Sequence, residues 1–464
     1  MTDEATIAGR RSPWLAALLS FLWPGLGQLY LRSRRTAAIF AVPPVLLVLL
    51  MAYAMRRGAF VLATQLFADR TIGLITVALV LLFGAWRLVA VLHAYAASRR
   101  AQSHRILQRG LLGGLVLVIV ATHLVSGVVL LSVSNAGAQV FNPTSSSIAR
   151  TGASNSLAPG ATPTAVVTFN QRITILLSGV DAGPEAGREG QLLYDSMMVV
   201  SFDPIGNNVQ MISVPRDATN FPLYFGGVRK YPHKLNELAS DVKAGFNSPE
   251  AGPNDDAKGY ATIVNEVQYL VGVHIDYTAK MDLNQFVSLV DMVGGIWVNN
   301  PTAICDCAYP GWPGYDWMDG SPLGFKLAAG MQHLDGRTAL AYVRSRHSNG
   351  DSDWGRQSRQ QQVLLALLKQ MTSLDQLPNL LNVINKLPQL MTTDLPSSMA
   401  SDLVANYTQN NPQIKQVVFN GPYFWGYLGG ASCLNYNKIA DLSRQLFGKD
   451  SLWQGVEDPP YTCG

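Results

Sequence analysis

The sequence predicts an α/β domain, a mixed central sheet flanked by helices, preceded by an all-α transmembrane segment. Three observations carry this prediction. Four long apolar runs crowd the first 133 residues, the charge balance changes sign at their end, and strand patterns alternate with helical ones beyond residue 172. Residues 1–133 hold 13 Arg, no Lys and three acids, a net charge of +10; the whole chain carries +4, which leaves −6 for residues 134–464. A basic, apolar front and a mildly acidic remainder read as a membrane segment followed by a soluble domain. The acidic balance of that domain also argues against a nucleic-acid partner, which needs clustered positive charge.

The apolar runs are Trp14–Leu31, Ala37–Met55, Ile72–Tyr95 and Gly110–Val133. Each is near the roughly 20 residues that a helix needs to cross the hydrocarbon core, so about four transmembrane helices are expected in residues 1–133. Pro24-Gly25-Leu26-Gly27 interrupts the first run and marks it as the one that is re-entrant if any is. Arginines orient the segment. Arg32, Arg34 and Arg35 in the first loop and Arg99, Arg100, Arg105 and Arg109 in the third outweigh Arg56, Arg57 and Arg70 in the second. Loops one and three are therefore placed in the cytoplasm, and the C-terminal domain outside a multi-pass cell-membrane protein. All four cysteines (Cys305, Cys307, Cys433 and Cys463) lie in that domain, an even number compatible with two disulfides. Unpaired buried thiols are the alternative, and no Cys or His spacing suggests zinc.

Residues 134–171, rich in Ser, Thr and Pro and poor in large apolar residues, read as a flexible tether. The domain at 172–464 opens with Ile173–Leu177, a continuous apolar run of the buried-strand kind, followed by strands at Met197–Phe202 and Val209–Val214 around the turn Asp203-Pro204-Ile205-Gly206. Helical patterns cover Tyr260–Val271 and Asp282–Val293, and Gly294-Gly295 stops the second before a strand at Ile296–Val298. A short helix at Arg337–Val343 and a longer one at Gln357–Met371 follow.

Two constellations carry chemistry. Asp181 closes the first strand and Asp195 opens the next; carboxylates at strand ends suit a hard cation such as Mg2+, although turn-capping aspartates share that spacing. The second constellation is basic. Arg216 and Asp217 end the third strand, Lys234 follows a loop, and Arg344, Arg346 and His347 precede Ser352, Asp353, Arg356 and Gln360. In an extended segment Arg344 and Arg346 point to one side. Arg356 and Gln360 are helix-face neighbours, and Ser352 or Asp353 suits the N-cap. Helix N-termini and forked guanidinium groups both grip phosphate. Surface salt bridges are the competing reading, but Lys is missing from 344–360 while the domain is otherwise acidic. His347 is read as an ordinary polar residue rather than a proton shuttle. Neither a nucleophile elbow nor a Walker-type loop is present.

Seven motifs in order resemble the LytR-CpsA-Psr family across roughly Ile173–Met371. They are Leu177–Asp181, Asp195–Met197, Ser213–Asp217, Lys234–Asn236, Val290–Gly295, Leu334–Leu340, and Tyr342–His347 running on through Ser352-Asp353 and Arg356 to Gln360. The resemblance implies an α/β domain with a long apolar groove for a polyprenyl chain. It also implies that Arg216, Lys234, Arg344, Arg346, Arg356 and Gln360 surround a lipid diphosphate and that Asp181 and Asp195 hold Mg2+. The implied activity is transfer of a glycopolymer, with one phosphate, from a polyprenyl-diphosphate carrier to a peptidoglycan hydroxyl. Asp181, Arg344 and Arg346 are then catalytic and Asp217 and Asp353 orient arginines; the expected partners are the lipid-linked glycan, the peptidoglycan acceptor and membrane lipid. A diphosphate hydrolase and a non-enzymatic lipid-diphosphate regulator need the same grip and stay open. The chain departs from the family at Leu192-Leu193-Tyr194, where a basic or small polar residue is usual, and in its several apolar runs where many relatives have one.

Overall fold

The computed structural model describes residues 12–56, 59–98, 105–141, 171–181, 193–225, 230–250, 255–306, 309, 324–346, 353–371, 386 and 389–456. The chain divides into two compact units, Met1–Ala138 and Gln139–Gly464.

In the first unit α1 (Pro13–Leu22) and α2 (Leu26–Tyr30) precede α3 (Arg34–Met55), α4 (Ala59–Ala68), α5 (Arg70–Ala97) and α6 (Arg105–Phe141). Among the described residues three helices are long and apolar enough to cross a membrane: Arg34–Met55, Arg70–Ala97 and, within α6, Gln108–Val140. About four were expected. The run Trp14–Leu31 is broken between Leu22 and Leu26, where Pro24 precedes Gly25 at φ 103°. The ten residues of α1 reach ~15 Å, half of the hydrocarbon core. The break folds tightly, because a Cβ on Gly27 would lie 2.0 Å from the Ala16 carbonyl oxygen. Buried Gln28 accepts from Ser20 (3.0 Å) and donates to the Ala90 carbonyl (2.9 Å). Helix α6 also runs eight residues into the expected tether, since Ser134–Phe141 contains no proline to stop it; residues 142–170 lie outside the described residues.

The second unit is a mixed α/β domain. Strands β1 (Ile173–Asp181), β2 (Leu193–Asp203) and β3 (Asn208–Val214) form an antiparallel meander. Strand β6 (Tyr277–Asp282) adds parallel to β1, β11 (Met391–Thr393) antiparallel to β6, and β12 (Gln413–Val418) parallel to β3, giving the order β11-β6-β1-β2-β3-β12. The short pairs are β4 (Phe221–Pro222) with β5 (Lys230–Tyr231), β7 (Ile296–Asn300) with β10 (Gly330–Leu334), β8 (Ile304–Asp306) with β9 (Phe325–Leu327), and β13 (Phe424–Leu428) with β14 (Ala431–Leu434). Helices are α7 (Leu238–Lys243), α8 (Asp255–Val271), α9 (Leu283–Met292), α10 (Gly336–Arg344), α11 (Asp353–Met371), α12 (Ser397–Asn410) and α13 (Tyr436–Phe447).

Helices cover both sheet faces, which is why the central strands read as continuous apolar runs. On one face Leu176, Met197, Val199 and Ile212 pack with Ile263 and Val267 of α8 and Ile439 of α13. On the other, Met198, Val200 and Met211 meet Leu364 and Leu365 of α11. Each such fully buried side chain contributes ~1.5–3 kcal/mol. A second cluster joins Val290 of α9, Ile296, Leu334 and Tyr342 to Val363 and Leu367 of α11. There Gly336 lets α10 start against α9: a Cβ would lie 2.1 Å from the Val287 carbonyl oxygen, and the Gly336 N–H donates to Asp291 (2.7 Å). Asp335 caps α10 by accepting from the Thr338 N–H at 2.8 Å. Much of the Leu334–Leu340 motif is therefore structural, setting where α10 ends. Of the cysteines, Cys433 is buried in β14 and disulfide-bonded. Cys305 sits on β8, and Cys307 and Cys463 lie outside the described residues.

Candidate functional site

The site begins with an irregularity in the sheet. Gly179 pairs with Ser196 and Val180 with Tyr194, so Asp195 is the extra residue of a β-bulge. Bulges re-aim a side chain where a regular strand would not. The Asp195 carboxylate forms an ion pair with Arg216, which follows the end of β3, and accepts from Asn236 Nδ2 at 3.4 Å. The Asn236 N–H donates to the Arg216 carbonyl and the Leu235 N–H to that of Ala218, both at 2.9 Å. This stitches the segment of half-buried Lys234 to the Arg216 turn.

The first turn of α11 supplies the other half. Asp353 Oδ1 accepts from Arg346 Nη2 at 3.0 Å and from Arg356 Nη2 at 2.7 Å, while Oδ2 accepts from Gln357 Nε2 at 2.8 Å. Arg356 is 4% exposed. Burial pulls its pKa down to about 10; Asp353 resists that shift, and Arg346 and Arg216 add to it. It stays cationic at neutral pH, held in a pocket with two like charges. Asp217 lies in the same field. Burial pushes its carboxyl above the ordinary range and Asp353 adds to the shift, while Arg356 and Arg346 oppose it. Its Oδ1 accepts from Ser432 Oγ at 3.2 Å. Buried polar atoms are normally paired, yet among the described residues Nε of Arg346, Nε of Arg356, Oε1 of Gln357 and Oδ1 of Asn236 have no partner. Guanidinium groups from three chain segments are gathered here, and those of Arg346 and Arg356 keep a spare donor, a geometry that suits oxygen anions.

Two residues outside the expected set position Arg346. Buried Asp306 on β8 accepts from Ser345 Oγ and the Arg346 N–H, both at 2.9 Å. Arg359 donates to the Tyr342 carbonyl (2.8 Å) and the Ser345 carbonyl (2.6 Å). Arg359 was findable, because it is three residues from Arg356 and so shares its helix face. Asp306 was not, since its partners are about forty residues away.

The structure thus brings together Arg216, Asp195, Arg346, Asp353, Arg356 and Asp217. Gln360 joins them at the sheet, where Ser196 Oγ donates to its Oε1 at 3.3 Å. Arg344 is placed differently. It is the last residue of α10, exposed, with Tyr309 in its field, so the expectation that Arg344 and Arg346 share an extended segment gives way to a helix end at Arg344 with Ser345 and Arg346 beyond it. Asp181 ends β1 opposite Leu193; its side chain, His347 and Ser352 lie outside the described residues. Among those residues no group of three or more His, Cys, Asp or Glu gathers. A Mg2+ held by one or two carboxylates plus substrate phosphates needs no such group. The Asp195 carboxylate, an oxygen donor at the bulge beside the end of β1, suits that chemistry.

Beside the charges lies an apolar cavity of about 330 Å3 between the sheet and α9 and α11. Leu177, Met198, Ala279, Phe286, Leu364 and Leu367 are among its lining residues, and Ser196 and Gln360 belong to both the cavity and the polar site. The α/β domain thus sets a cluster of arginines and carboxylates beside an apolar cavity, a polar and an apolar half side by side.

Residues 140–445 match the LytR_cpsA_psr family, about two thirds of the chain, and the protein belongs to that family. Among similar proteins, the polyisoprenyl-teichoic acid–peptidoglycan teichoic acid transferase TagU of Bacillus mycoides (strain KBAB4) is 27% identical over 256 residues, 54% of this chain and 71% of that protein. TagU of Bacillus subtilis (strain 168) is 24% identical over 296 residues, 62% of this chain and 80% of that one. For others, such as TagU of Bacillus anthracis, the match covers 66% of the relative's length. Among solved structures, B. subtilis TagV is 21% identical with a TM-score of 0.43, covering 63% of this chain and 100% of that one. TagT bound to LIIa-WTA is 21% identical with a TM-score of 0.43, covering 60% and 91%.

Proposed function

We propose that this protein transfers a glycopolymer, with one phosphate, from a polyprenyl-diphosphate carrier to a peptidoglycan sugar hydroxyl. The observation that carries the reading is the junction at Ser196 and Gln360, where the arginine cluster adjoins an apolar cavity. Family membership and the teichoic acid transferases among its relatives supply the reaction class.

In this reading the first part of the polyprenyl chain lies along Leu177, Met198 and Leu364, and the diphosphate faces Arg216, Arg346 and Arg356, with Lys234, Arg344 and Gln360 at its edges. Phosphoryl transfer spreads charge over the equatorial oxygens, so positioning and electrostatic stabilisation do most of the work. The acceptor hydroxyl oxygen bonds to the glycan-side phosphorus while the bond from that phosphorus to the bridging oxygen breaks, and polyprenyl phosphate leaves. The hydroxyl proton passes to a base, for which Asp181 is the candidate. Mg2+ on Asp181 and Asp195 would neutralise diphosphate charge when bound. Asp353 holds Arg346 and Arg356 in register, and Asp217 keeps the field balanced.

The arginine placement of loops one and three in the cytoplasm needs no crossing by the first apolar run: three spans from α3, α5 and α6 carry the domain outside. The test uses the full chain in lipid nanodiscs with Mg2+, a polyprenyl-diphosphate oligosaccharide and peptidoglycan fragments, read by mass spectrometry. A sugar–phosphate–sugar diester plus polyprenyl phosphate is expected. Free sugar phosphate would identify a hydrolase, and bound, unchanged substrate a regulator.

A further inference from the structure

The β13–β14 hairpin presents two large aromatic side chains to solvent, Trp425 at 57% exposure and Tyr427 at 60%. A side chain of that size is ordinarily at least half buried, so the exposure asks for a reason. The hairpin is built to hold them. Gly429 (φ 57°) and Gly430 (φ 78°) form its turn, both in the left-handed conformation of a tight type I′ connection. Phe424 pairs with Leu434 and Gly426 with Cys433, which makes Trp425 the extra residue of a second β-bulge.

The hairpin is anchored to the anion site. Tyr427 pairs across strands with Ser432, whose Oγ donates to Asp217 at 3.2 Å and whose N–H donates to the Asp217 carbonyl at 2.8 Å. Phe424 stands edge-on to Tyr427 (4.9 Å between ring centroids) and to Trp354 (5.0 Å), and Trp354 directly follows Asp353. The Tyr427 hydroxyl feels both Asp217 and Asp353. The Tyr427 ring near these carboxylates, with the exposed Trp425 ring two residues before it on the same strand, makes the chemistry of a saccharide platform. A π-face is electronegative and meets the weakly positive C–H face of a pyranose, while carboxylates accept from its hydroxyls.

We propose that Trp425 and Tyr427 form the subsite for the sugar attached directly to the diphosphate of the lipid-linked donor. Continuity with the arginine cluster selects the donor, since Tyr427 faces residues that hold those arginines and the first sugar is one bond from the phosphate. The proposal rests on the diphosphate reading above and adds the ligand class and place that reading left unassigned.

The test measures binding of two probes to the full chain in nanodiscs: geranylgeranyl diphosphate, and the same diphosphate bearing one N-acetylglucosamine. Trp425→Ala and Tyr427→Ala are expected to weaken the glycosylated probe about tenfold while leaving the sugar-free probe within twofold. That loss corresponds to ~1.4 kcal/mol. Tyr427→Phe and Trp425→Phe, which keep a ring, should recover most of the loss. Equal weakening of both probes, no weakening of either, or an effect confined to the KM of peptidoglycan fragments would each overturn the subsite. So would loss of affinity for sugar-free vesicles alone, the mark of a membrane-facing hairpin. Wild-type protein that binds neither probe would overturn the diphosphate reading together with the subsite; binding of both with unchanged variants removes the subsite alone.

Discussion

Helix α11 is two different objects at its two ends. Its first turn gathers charge, with Asp353 bridging Arg346 and Arg356 and Gln357 completing the carboxylate. Two turns later Val363, Leu364 and Leu367 line an apolar cavity. Between them Gln361 ties the helix to the sheet, donating to the Met211 and Val417 carbonyls at 3.2 and 2.9 Å. The apolar end needs little beyond volume and hydrophobic surface to hold a lipid tail. The charged end must oppose the desolvation of several ions, which it does with short contacts and shared acceptors. One rigid helix therefore sets the distance from the charged cluster to the apolar cavity, which in the proposed function is the distance from headgroup to chain, and the two ends are open to separate tests.

The largest effect is expected from Asp353→Ala. Removing one partner of a buried ion pair costs ~3–5 kcal/mol, because the remaining charges are left uncompensated. Urea unfolding should show a loss of that order together with loss of transfer; a loss under ~1 kcal/mol would make the cluster an ordinary surface pair. Arg346→Ala comes next and separates function from stability. Its side chain is a third exposed, so stability should change by less than ~1 kcal/mol. Transfer should fall ~100–1000-fold, the scale of losing one donor aimed at transition-state charge. Unimpaired transfer would remove Arg346 from the site.

At the apolar end, Ala279→Phe places a ring in the cavity. Affinity for long-chain polyprenyl diphosphates should fall about tenfold, roughly two methylenes of lost burial, while a short-chain diphosphate binds as before. Equal weakening of both would mean that the two ends do not act separately. The smallest effect is a pH dependence at the charged end. The Asp217 carboxyl lies above its unfolded value through burial and the nearby Asp353. Its contribution to stability is therefore whole below about pH 4 and is lost as pH rises through the raised folded value. Asp217→Asn, which does not titrate, should flatten that decline in the unfolding midpoint; a steeper decline would reverse the sign assigned to Asp217.

The charged end was more legible than the apolar one. Arg346, Asp353 and Arg356 stand out because Lys is missing from 344–360 and Asp353 begins a helical pattern, both local facts. The cavity is assembled from β1, β2, β6, α9, α10 and α11, and no periodicity reveals which apolar residues leave space between them rather than fill it. Arg344 misled for a related reason: a two-residue spacing has different meanings in a strand and at a helix end. The first apolar run misled because composition counts residues, whereas Pro24 and Gly25 decide whether they form one helix.

By itself the sequence determined the α/β class, the strands of the meander, the stop at Gly294-Gly295 and the basic residues of the site. Those follow from side-chain periodicity and backbone propensity, which act over a few neighbours. The tertiary structure alone decided that Asp195 sits on a bulge facing Arg216, that Asp353 bridges two arginines, that Asp306 holds the Arg346 backbone, and that the β13–β14 hairpin reaches Asp217. These partners are brought together by close packing of the sheet against its helices, and packing depends on the shapes of all the layers at once.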